Sequence, residues 1–510
     1  MLRLQPDTLA RLPADVARPR YERGALRAGI VHLGLGAFAR AHLAVATEAA
    51  MAATGDLRWG IVGVSLCHPD TRDALAPQGG LYSVALRDAD DDGAPGESLR
   101  VIGALLRVVV AGEDPAAVLE HIAHADTRIV SLTVTEKGYC HDPASGALRF
   151  EHADIAHDLA QPETPRSAVG MIVRALSLRQ RRGRAGIALL SLDNLPANGD
   201  MLRGLVLAFA DRAEPPLGAW IAAQCSFPNS MVDRIVPRTT DAERSRIGER
   251  LGLVDAWPLV AEPYFDWALQ DRFVAGRPEW VHGGARFVAD AAPFEQLKLR
   301  MVNGTHSTLA YLGAMAGFAT IDRAIAQPAL RAFIDALLRD EIAPTLGAVP
   351  GLDLDAYRRQ LLRRFANPAL AHATHQIAMD GSQKLPQRLL GTLRDRLDAG
   401  GSITRLALGV AAWLHYLRGV DEAGGHYVIE DPLAAELNEL CSRAESSATT
   451  AGSACEAAQR RAATFTAFAP VFGTLGSDAR CVAAVAQHLL SLRERGVIAS
   501  VEAATAAAIP

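Results

Sequence analysis

Short aliphatic and β-branched runs alternate with amphipathic stretches through roughly the first three hundred residues, and helical spacing takes over after them. Behind a Pro- and Arg-containing lead-in, the run Ile30-Val-His-Leu33 reads as a buried strand, and a helical pattern from Ala37 reaches about Met51. Further strands are predicted at 59–66, 81–86, 99–105, 129–134 and 187–192, with helices at 115–124 and 167–182 between them. Asp114 followed by Pro115 suits a helix N-cap and first helical position. Strands alternating with helices predict βαβ units and a parallel sheet. The last predicted strand is 285–290. Beyond it, the segments 294–315, 328–341, 355–365, 404–417, 432–441 and 478–495 read as helices. The Ser/Ala/Thr-rich stretch 442–457 predicts a mobile surface loop, and 500–510 a fraying tail. The pattern therefore predicts an α/β domain over 1–290 followed by a mostly α-helical domain over 291–510.

The first strand runs directly into Gly34-Leu-Gly36-Ala-Phe38-Ala39-Arg40-Ala-His42. Gly-x-Gly-x-x-Gly/Ala between a strand and a helix is the dinucleotide-binding pattern of a Rossmann-like, doubly wound sheet. Gly34 permits the tight turn, Gly36 lets the backbone approach a pyrophosphate, and the small Ala39 lets helix and strand pack. The helix start offers N–H groups to the phosphates. Phe38 and Arg40 are further candidates for this loop. The acid that holds the adenosine ribose belongs at the end of the second strand, where Asp70 is the nearby carboxylate. No Arg or Lys lies within 64–70 to take a 2′-phosphate, which favours NAD over NADP, although Arg72 leaves room for the other choice. The structural alternative for Asp70 is a helix N-cap.

Composition narrows the class. At 510 residues the chain exceeds one core, consistent with two domains. A net charge of -5 gives no basic footprint for nucleic acid and no polybasic membrane patch. No run approaches the roughly 20 apolar residues of a membrane span, and the charged, Pro-rich first residues lack the apolar core of a signal peptide. The six cysteines form no C-x-x-C pair, so neither a disulfide framework nor a zinc ribbon is expected. These features predict a cytoplasmic enzyme, a monomer or weak homo-oligomer, that acts on a small molecule without a metal ion.

Candidate chemistry lies in Phe294-Glu-Gln-Leu-Lys298-Leu-Arg-Met-Val-Asn303-Gly304-Thr-His306. At about 100° per residue in an α-helix, Lys298, Asn303 and His306 fall near ~0°, ~140° and ~80°, on one face. A lysine held in a cleft loses affinity for its proton and can act as base toward a hydroxyl. An asparagine amide can donate to a developing alkoxide, and His306 can orient a neighbouring hydroxyl. Gly304, costly in a helix by about 1 kcal/mol, suggests close approach of substrate or cofactor. The alternative is an exposed lysine beside a structural histidine. No H-E-x-x-H, P-loop or G-x-S-x-G elbow competes.

These stretches, with Ser131-Leu-Thr-Val-Thr-Glu136-Lys-Gly-Tyr139, Asp193-Asn194-Leu-Pro-Ala-Asn-Gly199, Ser226-Phe-Pro-Asn-Ser-Met-Val-Asp233-Arg-Ile235 and Asp380-Gly-Ser-Gln-Lys384-Leu-Pro386, resemble the polyol-specific long-chain dehydrogenases, the family of mannitol 2-dehydrogenase and fructuronate reductase. The resemblance spans most of the chain in the family's order. It implies that Lys298 is the general acid/base and that Asn194 and Asn303 hydrogen-bond the reacting oxygen. By the same resemblance His306, Asp233 and Lys384 contact substrate hydroxyls, and Glu136 is an acid on the proton route. Asp233 as a helix cap and Lys384 as a surface charge are the structural alternatives. Ala37 and Ala39 stand where many relatives carry other residues, which affects the cofactor loop.

The family handles sugar-derived ketones and secondary alcohols, either polyols or aldonates. A substrate carboxylate wants a cation at its end of the pocket, and Lys384 and Arg388 could supply one if their segment is helical despite Pro386. The segments around Lys137, Phe294 and Gln376 lean toward the fructuronate branch, while the Asp193–Gly199 stretch reads more like the mannitol branch. The favoured reaction is D-fructuronate + NADH + H⁺ ⇌ D-mannonate + NAD⁺. Rivals are mannitol 2-dehydrogenase, a non-catalytic NAD(H)-binding protein, and a lyase or epimerase using bound NAD.

Overall fold

The computed structural model describes residues 2–89, 95–142 and 145–507. The chain divides into two compact units, Met1–Glu295 and Gln296–Pro510. The division falls inside the helix Ala292–Leu297 rather than at residue 290.

In the first unit the strands are β1 Ile30–Leu33, β2 Ile61–Ser65, β3 Tyr82–Ala89, β4 Pro95–Ile102, β5 Leu105–Val110, β6 Ile129–Leu132, β7 Ala188–Ser191, β8 Ser230–Asp233, β9 Leu259–Ala261, β10 Asp266–Gln270 and β11 Ala285–Val288. The central sheet has the order β5-β2-β1-β6-β7, and every neighbouring pair is parallel. Strands β1, β2, β6 and β7 are almost wholly buried on both faces, which is why they read as apolar runs rather than alternations, while the edge strand β5 is partly exposed. Alternate residues serve opposite cores. Val31, Leu33, Val130, Leu132 and Leu189 pack with Val118, Ile122, Ile172 and Leu205 of helices on one face. Ile30, Ile61, Ile129 and Leu190 pack with Ala46, Met51 and Trp267 on the other. The sheet is therefore wound on both sides, as the glycine pattern anticipates. Register aligns Leu33 with Val64 and with Leu132, and Leu132 with Ser191, so the loops after β1, β2, β6 and β7 leave from one edge.

Two smaller sheets, β4-β3-β9 and β11-β10-β8, complete the unit. The expected strand at 99–105 is in fact two: β4 ends at Ile102, and β5 begins at Leu105 in a different sheet. β8, β9 and β10 escape the pattern because they are three to five residues long and two carry buried aspartates. The helix after the glycines is interrupted at His42 (φ -114°, ψ -80°) before resuming as Leu43–Thr54.

The second unit is helical. Thr305–Met315 and Thr404–Tyr416 are buried along their whole length and form its centre. Three π-helical turns, Lys298–Gly304, Leu337–Ile342 and Pro386–Leu390, interrupt the α-helices. The buried Glu341 carboxylate accepts the Arg405 and Leu406 N–H groups (3.0 and 2.8 Å) and so satisfies the start of the central helix. The expected loop at 442–457 is instead the end of helix Ala434–Ala448 and the start of helix Ala454–Thr466. Alanine favours helix intrinsically, and the ion pairs Arg460–Glu456 (2.5 Å) and Arg461–Glu445 (3.0 Å) hold the two helices. The expected tail is helical to Ala506, with 508–510 outside the described residues. Among the described residues no helix is long and apolar enough to cross a membrane.

Buried neutral histidines give the fold a pH signature. His32 lies inside the sheet, its ring nitrogens 2.9 Å from Ser131 Oγ and Thr133 Oγ1, and burial pushes it down to about 3. Burial likewise pushes His415 to about 3 and His488 to about 4. Unfolding restores a value near 6.5, so the unfolded chain binds more protons just below that pH. These groups contribute stability that is complete above 6.5 and lost as pH falls toward 3. Melting temperature is expected to drop steadily between about pH 7 and about pH 5; a flat profile at constant ionic strength contradicts this.

Candidate active site

At the aligned sheet edge, Gly34 has φ +84°, and a Cβ there would sit 2.2 Å from Thr133 O. Only glycine fits this turn. Gly36 differs: a Cβ would meet nothing nearer than Gly34 O at 3.9 Å, so its backbone faces open space. Ala39 is 1% exposed and packs inward. A forced turn followed by uncovered backbone fits a dinucleotide's pyrophosphate. Phe38 is half-buried and stacks on His42 at 5.0 Å. Arg40 departs from expectation: it is 2% exposed, donates from Nη1 to Trp257 O (2.8 Å) and lies over the Tyr82 ring. Its guanidinium is a packing element of the first unit and is not offered to a phosphate. Asp70 is exposed and opens the helix Asp70–Leu75, whose N-cap is Pro69, so the capping alternative does not hold. Arg72 is tied by Asp73 (2.8 Å) and by Glu113.

The neighbouring loops are latched by residues that the sequence reading passed over. The Asp193 carboxylate accepts Val134 N and Thr135 N (both 3.0 Å) and Tyr139 OH (2.8 Å). It thereby fixes the short helix Thr135–Gly138 that carries the half-buried Glu136. Thr135 has φ +62°, a conformation such anchoring must sustain. Burial pushes the Asp193 carboxyl up. Asn198, fully buried, donates from Nδ2 to Ser191 O, Asp193 O and Ser230 O, and its Oδ1 accepts Ser230 N (3.0 Å). In Asp193-Asn-Leu-Pro-Ala-Asn198, the first and last polar residues hold the loop, and Asn194 is left exposed on it. The Asn198–Ser230 bonds tie β7 to β8, at whose end stands Asp233, 5% exposed and opposite Asp266 in the antiparallel pair. Asp233 is a strand residue, not a helix cap.

In the second unit Lys298, Asn303 and His306 are 5%, 8% and 9% exposed, so an exposed lysine is ruled out. The α-helical angles do not apply over the first two, because Lys298–Gly304 is a π-helix. Its i→i+5 bonding makes residues five apart neighbours on successive turns, which brings Asn303 over Lys298. Gly304 serves another backbone rather than a ligand: a Cβ there would lie 2.8 Å from Arg388 O. His306 stacks on Phe365 at 4.9 Å and meets His372 edge-on at 5.4 Å. Asn303 Nδ2 and His306 Nε2 are buried without a hydrogen-bond partner. Burial first, then His372, Arg388, Arg364 and Lys384, holds His306 well below its ordinary value, so the ring is neutral.

Lys384 and Arg388 lie on a continuous helical path, Gly381–Leu385 followed by the π-turn Pro386–Leu390. A π-turn accommodates the proline that an α-helix would not. Lys384 Nζ donates to Met379 O (2.5 Å) and lies 3.9 Å from Asp380. With 22% side-chain exposure it is not a surface charge. Arg388 donates to Ser307 Oγ (2.9 Å). Among the described residues Cys140, His152 and Asp154 place metal-ligand atoms within 4.8 Å of one another. Burial pushes the Cys140 thiol up to about 11, away from the thiolate that binds metal.

Residues 28–282 match the mannitol dehydrogenase Rossmann domain and residues 290–492 the mannitol dehydrogenase C-terminal domain. D-mannonate oxidoreductase of Escherichia coli strain K12 is 46% identical over 83% of this chain and 87% of its own length. A mannitol 2-dehydrogenase of Pyrenophora tritici-repentis is 39% identical over 86% and 77%. The structure of Pseudomonas fluorescens mannitol 2-dehydrogenase in ternary complex with NAD and D-mannitol is 37% identical, with a TM-score of 0.89 over 98% of this chain and 99% of that one. The chain belongs to the mannitol dehydrogenase family of oxidoreductases.

Proposed function

We propose that the protein interconverts D-fructuronate and D-mannonate with NAD, the first unit holding the dinucleotide and the second supplying the acid/base Lys298. The observation that carries this reading is the buried cluster in the second unit. An amine and an amide share one π-turn next to a neutral imidazole, with Lys384, Arg388 and Arg364 acting on that imidazole. Such a cationic surround suits a substrate carboxylate, and the 46% identity to D-mannonate oxidoreductase supports the same choice.

In the reducing direction Lys298 gives its proton to the substrate carbonyl oxygen. Asn303 Nδ2 and the Asn194 amide donate to that oxygen as negative charge builds on it. His306 orients an adjacent hydroxyl, Asp233 and Lys384 bind further hydroxyls, and Arg388 holds the carboxylate. Glu136 relays the proton between Lys298 and solvent. Gly34, Gly36, Phe38 and Ala39 form the pyrophosphate loop, and Asp70 takes the ribose hydroxyls. A nicotinamide dinucleotide held by that loop would supply the hydride chemistry. An amine manages the proton in this scheme, with no step assigned to a metal ion.

The test is a spectrophotometric panel of D-mannonate, D-mannitol, D-arabinitol and D-altronate with NAD and with NADP. NADH is expected to accumulate with D-mannonate. Because Arg72 is already tied to Asp73 and Glu113, NAD should exceed NADP in kcat/KM by about tenfold or more, the worth of one charge-assisted phosphate contact. Activity on mannitol but not on mannonate reverses the substrate assignment. D-mannitol is the second reading, favoured by the Asp193–Asn198 latch on the Asn194 loop, whose motif is the mannitol-like part of the chain.

A further inference from the structure

Two groups beside His306 have no individual task in the reaction as described: Arg364, counted so far only as one of the surrounding cations, and His372. Arg364 lies in the last turn of helix Leu354–Phe365, is 8% exposed, and precedes the Phe365 ring that stacks on His306. His372 follows Ala371, whose φ of +43° is left-handed, a conformation unfavourable for a non-glycine residue. The bend is held by the Ile321 N–H on His372 O (3.0 Å) and by the Thr320–Ala373 bridge. That strained, anchored turn sets the His372 ring edge-on to His306.

Both touching rings carry a buried nitrogen without a partner, Nε2 of His306 and Nδ1 of His372. Leaving such an atom unsatisfied is unfavourable. Two of them on adjoining rings mark a place where polar ligand atoms complete the bonding. Burial first, then His372 and the cations Arg388, Arg364 and Lys384, disfavours protonation of His306, and burial first, then Lys384, pushes His372 down to about 4. Both imidazoles are therefore neutral near pH 7, each able to donate one hydrogen bond and accept another, as hydroxyls require. The surrounding cations provide what a carboxylate requires.

We propose that Arg364 and His372 complete the substrate site around His306: Arg364 is a specificity-determining residue that selects a sugar acid over an uncharged polyol by attracting the substrate carboxylate, and His372 is a binding residue whose Nδ1 hydrogen-bonds a neighbouring hydroxyl of either substrate. This rests on the reading that the Lys298 cluster handles the substrate's reacting carbon. The two residues divide the work. Arg364 separates acids from polyols, while His372 contributes to both.

The experiment compares the full-length wild type with Arg364→Gln, Arg364→Lys, His372→Phe and His372→Asn. It measures kcat and KM for D-mannonate and D-mannitol at saturating NAD, with melting temperature alongside. Arg364→Gln is expected to lower the mannonate-over-mannitol ratio of kcat/KM about tenfold or more, mainly through KM, the worth of one charge-assisted contact. Arg364→Lys should recover part of that ratio. His372→Phe should raise KM for both substrates, and His372→Asn, whose amide can replace Nδ1, should restore it. An unchanged ratio in Arg364→Gln, or equal loss on both substrates, overturns the proposal; if that variant does not fold, Arg364→Met takes its place under the same two criteria, and wild-type KM values in His372→Phe overturn the part given to His372. A wild type inactive on mannonate instead sinks the mannonate reading itself, an outcome visible before any variant is made.

Discussion

Replacing Lys298 with alanine is expected to lower turnover of D-mannonate about 10²-fold or more, the usual range for a positioned acid/base, while NADH binding stays nearly intact. Lys298 is 5% exposed and opens the π-turn that brings Asn303 alongside it. A buried amine in that setting takes the hydroxyl proton of mannonate along a fixed direction, and returns it in the reverse reaction, which solvent does poorly at a shielded oxygen. The glycine loop at Gly34–Ala39 belongs to the other compact unit, so truncation at 298 leaves its turn untouched. Steady-state kcat measures the first effect and NADH fluorescence titration the second. Turnover at the wild-type level removes the amine from the mechanism. Loss of NADH binding in parallel with activity reassigns Lys298 to holding the dinucleotide.

What the sequence revealed divides along a physical line. Local signals with a single solution held: the Ile30–Leu33 strand running into Gly34, and the Asp114 side chain capping the helix at Ala117 N. Signals with two local solutions did not. An apolar spacing over 294–315 fits an α-helix and a π-turn equally; the chain takes the π-turn over Lys298–Gly304, with Gly304 close against the backbone of Arg388. Gly304 was legible as a close approach, but not what approaches. Asp193-Asn194 and Asn198 present similar side chains, and only the fold reveals that Asp193 and Asn198 spend theirs on loop backbone while Asn194 remains exposed. Arg40 is the same lesson with opposite sign: placed in a phosphate loop by motif, it is consumed by Trp257 and Tyr82. Motif position tells which backbone a residue shares, and the direction of a side chain is settled by the packing around it.

Asn303→Ala separates function from structure more sharply than any other substitution in the cluster. The Asn303 amide nitrogen is buried and makes no hydrogen bond, so in the resting protein it is a cost of about 1–3 kcal/mol. Such a cost persists where a ligand later satisfies the group, as an oxygen gaining negative charge does. Removing that donor is expected to lower kcat about 10²- to 10³-fold, the range for deleting one oxyanion donor. Melting temperature should hold or rise, because the unsatisfied group leaves with the side chain. A purely architectural amide reverses both signs: the protein melts earlier and turnover of the surviving fold is preserved. Measuring kcat and melting temperature on one preparation distinguishes the two, and an earlier melt with unchanged kcat withdraws Asn303 from the chemistry while leaving Lys298 to be judged on its own variant.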